Sequence, residues 1–408
     1  MRFSHRGTLL VTTTAELQAT VWDVRTGRAV EDINVGQAGV RGVGFSPDDA
    51  TLYVANEGAL RSYDLEGRRR YIAHLIPPTG GDYGCISPAP GGKTTYRQGP
   101  SGISFKDVET HNATRPVPLP GNWWETDTGN CVAWHPTGAR AATMKSDVLS
   151  VWNARTGELI ASRPVVGSRV SDFHYAGRDG SRLAIGQVSG VATLLDSETL
   201  EVVGTPVQLN GSINWLSAGP DGHTAAVLTG DTIADGVKST GWALLDLESG
   251  EVIRSGRLPV ANPEVVALSP DGRHIAVTSA QGEVLVLDTA PGAAPGRPVK
   301  VKRGANSLAF SADGSLLVAP GDGTVNLYDG STGAPLGSVV VPNRTVVTAD
   351  FRPDGHTVVI ASYDDAIYTW DTRLEHTIEY ACRTAGRDLT VEEWRENFGG
   401  RPYRKTCP

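Results

Sequence analysis

This sequence predicts an all-β fold of the propeller type, in which small four-stranded sheets repeat around an axis. Three observations carry the prediction. First, an aromatic or leucine residue followed by a polar one recurs along the chain, the second position being Asp23, Asp64, Lys106, Asn153, Asp196, Asp246, Asp288, Asp329 and Asp371. The successive gaps are 41, 42, 47, 43, 50, 42, 41 and 42 residues, and a period of roughly 40–45 residues is the length of one propeller blade. Second, each interval reads as strand, turn, strand, turn, strand. Third, no amphipathic helical stretch of about 10–15 residues separates the strands, which argues against βαβ units.

The clearest copy runs from Glu264 to Gly292. Val265 to Leu268 form its inner strand, and Pro270-Asp271-Gly272 the first turn, where proline presets φ and glycine accepts positive φ. His274 to Ser279 alternate with a period of two and make the second strand. Gln281-Gly282 turn the chain into a third strand, Val284 to Asp288. The pattern recurs as GFSPDDATLYVAN, AFSADGSLLVAP, DFRPDGHTVVIAS and AGPDGHTAAVL. Thr26-Gly27, Thr156-Gly157, Ser249-Gly250 and Thr332-Gly333 follow third strands and suit a tight turn into an outer strand. One such sheet cannot bury both faces alone, whereas radially arranged neighbours cover each other.

Seven to nine blades are expected, within a propeller domain of residues 1–375. The first repeat lacks most of its inner strand, since Phe3 aligns with Phe45 and Phe310. Either one ring of eight or nine blades closes imperfectly, or seven close and the first two belong to another body; uniform spacing favours the single body. Residues 376–408 break the period and are expected to form a helical tail packed on the propeller. Ile378, Ala381 and Cys382 share a helix face, Gly386 is a stop, and Thr390 with Glu393 has capping-box spacing. Trp394 and Phe398 lie on one face, and Trp394 is expected to pack onto the last blades.

Composition bounds the function. A net charge of −8 and a pI near 5.6 leave no basic stripe for a nucleic acid. Arg68-Arg69-Arg70 is better read as edge-strand charge that blocks sheet-to-sheet pairing. No apolar run approaches the roughly 18 residues of a membrane span, and the first residues lack the features of a signal peptide. A cytoplasmic protein is therefore expected, a monomer or part of a larger regulatory assembly, with no nucleic-acid or membrane partner. In that setting Cys85 and Cys131 read as buried free thiols, and Cys382 and Cys407, which could pin the tail, also read as free.

The motifs Val21-Trp22-Asp23-Val24, Val151-Trp152-Asn153 and Thr369-Trp370-Asp371, with the Ser-Pro-Asp-Gly turns, resemble the WD-repeat family over about residues 3–375. The repeats are degenerate and resemble the propeller regions of bacterial proteins fused behind a signalling STAND-type ATPase; the tail ACRTAGRDLTVEEWRENFGGRPYRKTCP resembles the terminal segment of those proteins, which would make Pro408 a natural end. No histidine forms a Gly-His pair before an inner strand. The resemblance thus implies loss of the family's buried Asp–His–Ser/Thr–Trp network, with Asp23 and Asp371 serving turn amides instead. Trp22, Trp152, Trp370 and Trp394 are structural candidates on the same reading.

No catalytic motif, metal set or nucleotide loop survives inspection. Gly91-Gly92-Lys93-Thr94 lacks the spacing and strand-to-helix context of a phosphate loop. Neither cofactor, metal nor catalysis is expected. Two insertions, Pro120–Asn130 and Thr229–Gly241, fall at connections that emerge on one propeller face, where extra length marks a binding side. Trp123, Trp124 and Glu125 in the first are candidates for a partner surface. The residue four before each inner-strand landmark is Arg41, Asp82, Asn130, Arg169, Asn214, Glu264, Asn306 or Val347; seven of these eight are polar and are read as a ring at the same face. The expected function is a non-catalytic, regulatory interaction scaffold or ligand-sensing propeller for a protein or peptide. The alternative is a metal-dependent hydrolase or lactonase using channel carboxylates such as Asp82 and Glu264.

Overall fold

The structure is a computed structural model of the 408-residue chain. It describes residues 1–13, 18–34, 40–56, 59–65, 72–76, 85–108, 110, 112–119, 131–233, 236–293, 296–300, 307–321, 323–341, 346–362, 367–398 and 401–407. Among these residues the chain forms nine sheets, seven of four strands and two of three, and two short helices. The architecture is the β-propeller type that the period predicts.

The seventh repeat shows why this sequence folds so. Pro263–Leu268, His274–Ser279, Glu283–Asp288 and Val299–Lys300 pair antiparallel in chain order. The first turn closes with the Ser269 amide donating to the His274 carbonyl, and Gly272 takes φ +70°. The Asp271 carboxylate accepts from the Ser269 hydroxyl at 2.7 Å and the Arg273 amide at 3.0 Å. At the far end of each third strand a second device recurs: Asp23, Asn153, Asp196, Asp246 and Asp329 each accept backbone amides two or three residues ahead. The Ser331 and Thr332 hydroxyls, with the amides behind them, hold the Asp329 carboxyl down at about 2. In the third repeat it is Asp107, accepting the Thr110 amide at 2.7 Å, that fills this place. Lys106 is thus one residue out of register as a landmark.

The chain divides into two compact units that do not follow the expected boundary at residue 375. The first comprises Met1–Thr79, His356–Val358 and Tyr368–Pro408. It contains the first two sheets, built on Arg2–Phe3, Leu9–Thr13, Gln18–Asp23 and Arg28–Asn34, and on Val40–Phe45, Thr51–Asn56 and Ala59–Asp64. Val11, Val21, Ile33, Phe45, Leu52 and Val54 form the core between them. Asp49, at φ +62°, accepts the His5 and Arg6 amides. Lost hydration pushes its carboxyl up, but those amides outweigh it and hold the group at about 2. Also in this unit, strand Ile72–Ile76 is the neighbour of strand Ile367–Asp371.

Two tail helices form where the sequence predicts them, and the contacts of Trp394 with Arg401 and Tyr403 are to the tail itself rather than to the last blades. Helix α1 (Leu374–Ala385) stops at Gly386, φ +68°, whose amide donates to the Cys382 carbonyl. Helix α2 (Val391–Phe398) starts from a reciprocal box: the Thr390 amide donates to Glu393 at 2.8 Å, and the Glu393 amide to the Thr390 hydroxyl at 3.2 Å. Trp394 is buried; its indole N–H donates to the Arg401 carbonyl, and its ring meets Tyr403 edge-on at 6.0 Å.

The second unit, Gly80–Gly355 with Val359–Ile367, holds the third to eighth repeats. Its cores lie between successive sheets rather than within them. Ala184, Leu194, Ile213, Leu216, Val227 and Leu245, for instance, join the fifth and sixth repeats. Second strands are almost wholly buried and outer strands mostly exposed, as Arg140–Lys145 and Glu251–Arg257 illustrate. Each buried Val or Leu contributes about 1.5–3 kcal/mol, so this inter-sheet packing is the main source of cohesion.

The third repeat departs from the pattern. Its sheet has three strands, Cys85–Pro88, Thr94–Gly99 and Gly102–Asp107. The chain after it runs alongside through isolated bridges at Val117 and Ala113. Gly102, at φ +109°, permits this, because a Cβ there would strike the Val117 carbonyl. Cys85 and Cys131, expected as free thiols, are joined in a disulfide with Cα atoms 6.4 Å apart. They occupy matching places in consecutive repeats, 46 residues apart, a contact that linear spacing does not reveal. Cys382 and Cys407 are joined likewise, 5.4 Å apart at Cα, again against expectation.

Candidate functional site

The site is the end of the second unit where inner strands begin. Asn214 and Glu264 stand at equivalent places on the inner strands Ser212–Ala218 and Pro263–Leu268. In both, the pairing register skips that residue: Ile213 faces Thr229 and Trp215 faces Leu228, while Pro263 faces Ser279 and Val265 faces Thr278. Each is therefore the unpaired member of a β-bulge, a device that re-aims a side chain out of the ladder. Arg41 holds the same position in the first unit, between Val40 and Gly42. Arg41, Asn214 and Glu264 are thus bulged positions, each within its own sheet.

Arg169 does not share it. In the fifth repeat the skipped residue is Ser171, and exposed Arg169 precedes the strand Val170–Ala176. Arg182 and His274 both open second strands, opposite Asp196 and Asp288, and the bulged residues ahead of them are Ser171 and Glu264, so the sequence landmark Phe173 is out of register with Leu268. Asp82, Trp123, Trp124, Glu125, Asn130 and Asn306 lie outside the described residues.

The second insertion is not a loop. Thr224–Ile233 and Gly236–Asp246 continue the second and third strands of the sixth sheet as a long hairpin, with Asp231 opposite Lys238 and Ile233 opposite Gly236. Ser212 pairs with Gly230, so the extension starts where the inner strand starts. The Ser212 hydroxyl lies 3.0 Å from the Asn214 Oδ1 and 3.1 Å from the Gly230 carbonyl. Half-buried Asn214 is thus held at the hairpin's base. Glu264 is exposed, yet partial loss of hydration lifts its carboxyl above the ordinary value.

Below this rim the inner strands are stitched to one another. Buried Asp172 accepts the Phe173 amide at 2.9 Å and, from the next sheet, the Leu216 amide at 2.8 Å. The Ser217 hydroxyl accepts the Leu268 amide, and the Ser307 hydroxyl the Ala349 amide. Sequence reasoning missed this set, because each inner strand holds several polar residues and nothing local marks the one that reaches the next sheet. His174 lies 3.6 Å from Asp172. Asp350 touches solvent but is crowded by protein, and that lost hydration lifts its carboxyl to about 6, the Phe351 amide and the nearby His174 opposing only in part.

A consequence in pH follows. The folded protein binds the Asp350 proton more tightly than the unfolded chain, so this group's contribution falls as pH rises from about 4 through about 6 and then levels off. Asp350→Asn is expected to be more stable than the parent above pH 6, the two converging near pH 4. Urea midpoints at pH 4 and 7.5 test this; a difference that does not change with pH contradicts it.

The structural tryptophans are also placed. The Trp152 indole N–H donates to the Thr143 hydroxyl at 2.8 Å, and Trp22 to Thr12 at 2.8 Å. One leg of the network expected to be lost is therefore present in two repeats. Trp370 is buried, and Asp371 accepts the Arg373 amide, so Asp23 and Asp371 do serve turn amides.

Comparison with known proteins agrees with this geometry. Residues 297–329 match the family described as "WD domain, G-beta repeat". An uncharacterized WD repeat-containing protein of Synechocystis sp. is 32% identical over 36% of this chain and 40% of its own length. WD repeat-containing protein 1 of Gallus gallus is 20% identical over 98% of this chain and 68% of its own length. The chain therefore spans less than half of the first relative. Among solved structures, a chain of Kuenenia stuttgartiensis hydrazine synthase superposes with a TM-score of 0.56 at 16% identity, over 73% of this chain and 98% of that one, a likeness of fold. The fold is a β-propeller, and the chain is similar to WD-repeat proteins. WD-repeat proteins generally act in protein–protein interaction, binding proteins or peptides. No described helix is long and apolar enough to cross a membrane.

Proposed function

We propose that this propeller is a non-catalytic interaction module of a regulatory assembly, and that it presents the rim where inner strands begin to a protein or peptide partner. The observation that carries the reading is the convergence at the sixth and seventh repeats. Two bulged polar residues, Asn214 and Glu264, project beside the base of a hairpin that extends beyond the ordinary strand length. The amide stitches from Asp172 and Ser217 fix the strands beneath. A rim fixed in this way loses little conformational freedom on binding, which favours affinity. A signalling role, as partner of a separate ATPase, rests on the resemblance of repeats and tail to bacterial WD-repeat proteins.

The test combines Asn214→Ala and Glu264→Lys with removal of residues 231–238. Partners captured from the native cell by the parent are expected to fall at least tenfold in the variant, with its unfolding midpoint retained. Undiminished capture by a folded variant rules out this rim. Adding Trp123→Ala and Trp124→Ala measures the share of the first insertion.

A further inference from the structure

We infer that this protein is oxidised in use: Cys85–Cys131 and Cys382–Cys407 form in a non-reducing compartment, and the second closes the C-terminal segment into a module that reduction reopens. This goes beyond the interaction reading and does not depend on it. It replaces the cytoplasmic setting expected from the sequence.

Four observations support it. All four cysteines are paired, and none is left over. The Cα separations, 6.4 Å and 5.4 Å, fall within the roughly 4.4–6.8 Å that a disulfide spans. The Cys85–Cys131 bond joins the third repeat, whose described sheet has three strands, to the fourth. Finally, the tail brings its own cysteines together by other contacts. The Asp388 carboxylate accepts the Thr406 amide at 2.9 Å and the Cys407 amide at 2.8 Å, and the Leu389 amide donates to the Thr406 hydroxyl. The Tyr403 hydroxyl donates to the Leu389 carbonyl, and the Arg404 guanidinium sits 5.8 Å from the centre of the Trp394 ring.

These contacts return the chain to helix α1 with Cys407 beside Cys382. That raises the effective concentration of one thiol at the other and favours the bond. Helix α1 buries no residue of its own, so closure of the segment depends on this network and its covalent tie. Oxidation needs an acceptor, and the fitting class is a disulfide-bearing thiol oxidant. One cysteine thiolate attacks the oxidant's disulfide, the second displaces it from the mixed disulfide, and the oxidant leaves as a dithiol carrying the two electrons. A glutathione-reduced cytoplasm drives the reverse exchange.

Two measurements test the inference. Native cells are quenched in acid, the protein is denatured without reductant, and maleimide labelling of each cysteine is read by peptide mass spectrometry. All four cysteines are expected to stay unlabelled until reductant is added. Labelling of any of them in more than a tenth of the molecules overturns the inference. For the closing role, hydrogen exchange is compared between the oxidised parent and a Cys382→Ser, Cys407→Ser variant. Amides of residues 374–398 are expected to exchange at least tenfold faster in the variant, with those of the fourth to seventh repeats unchanged. Exchange within twofold of the parent removes that role, and adding reductant to the parent gives the same reading without a mutation.

Discussion

Replacing Trp152 by alanine is expected to destabilise the fold by about 3–5 kcal/mol, the range for deleting a buried aromatic side chain. Trp152 is 6% exposed and lies in the cluster formed with Tyr96, Ile103, Phe105, Val132 and Ala141. That cluster is the seam between the third and fourth repeats. Among the described residues the third sheet has three strands, with the chain at Val117 and Ala113 held only by isolated bridges. Trp152→Phe separates the terms: most of the ring remains, and the bond to Thr143 is lost, an effect of about 1 kcal/mol. Urea midpoints for the two variants should differ by at least a factor of two in their shift from the parent. A Trp152→Ala midpoint within 1 kcal/mol of the parent, by the usual extrapolation, shows that the seam is not where cohesion resides.

The same seam carries the second large effect. Replacing Cys85 and Cys131 by alanine, in a background already carrying Cys382→Ser and Cys407→Ser, is expected to lower stability by about 4 kcal/mol. The bond spans a sequence separation of 46, and closing a loop of that size removes about that much free energy's worth of disorder from the unfolded chain. The effect acts on the unfolded ensemble, so the unfolding midpoint should drop while the packing of Tyr96 on Phe105, 5.9 Å between centroids, is retained. Reductant should bring the unsubstituted pair to the same midpoint and leave the alanine pair unmoved. Equal midpoints before and after reduction contradict the prediction.

How much of this was legible in the sequence depends on the range of the contacts involved. The turns were legible because they are local: Asp271 meets groups two residues away, and Thr390 and Glu393 meet each other within one helical turn. The repeat period was legible for the same reason, since each unit carries its own turns. Register was less so. In the fifth repeat the bulge falls at Ser171 rather than at the expected Arg169, and nothing in the spacing of apolar residues reports it. The Cys85–Cys131 disulfide and the Asp172–Leu216 stitch were not legible at all. They join residues 46 and 44 positions apart, and only the folded arrangement of neighbouring sheets brings them together. The site was half legible: Asn214 and Glu264 came from repeat alignment, whereas the hairpin between them looked like an insertion without structure.

The pairing of Ile72–Ile76 with Ile367–Asp371 has a bearing on biosynthesis. From Ile76 to Ile367 is 367 − 76 = 291 residues, and at roughly 5–20 residues per second a ribosome takes about 15–60 s to supply them. For that interval the early strand has left the exit tunnel without its mate, its amides and carbonyls open to any other nascent chain. Crowded polysomes are therefore the place where this protein is most exposed to mispairing, and a chaperone that shields the first eighty residues would relieve it.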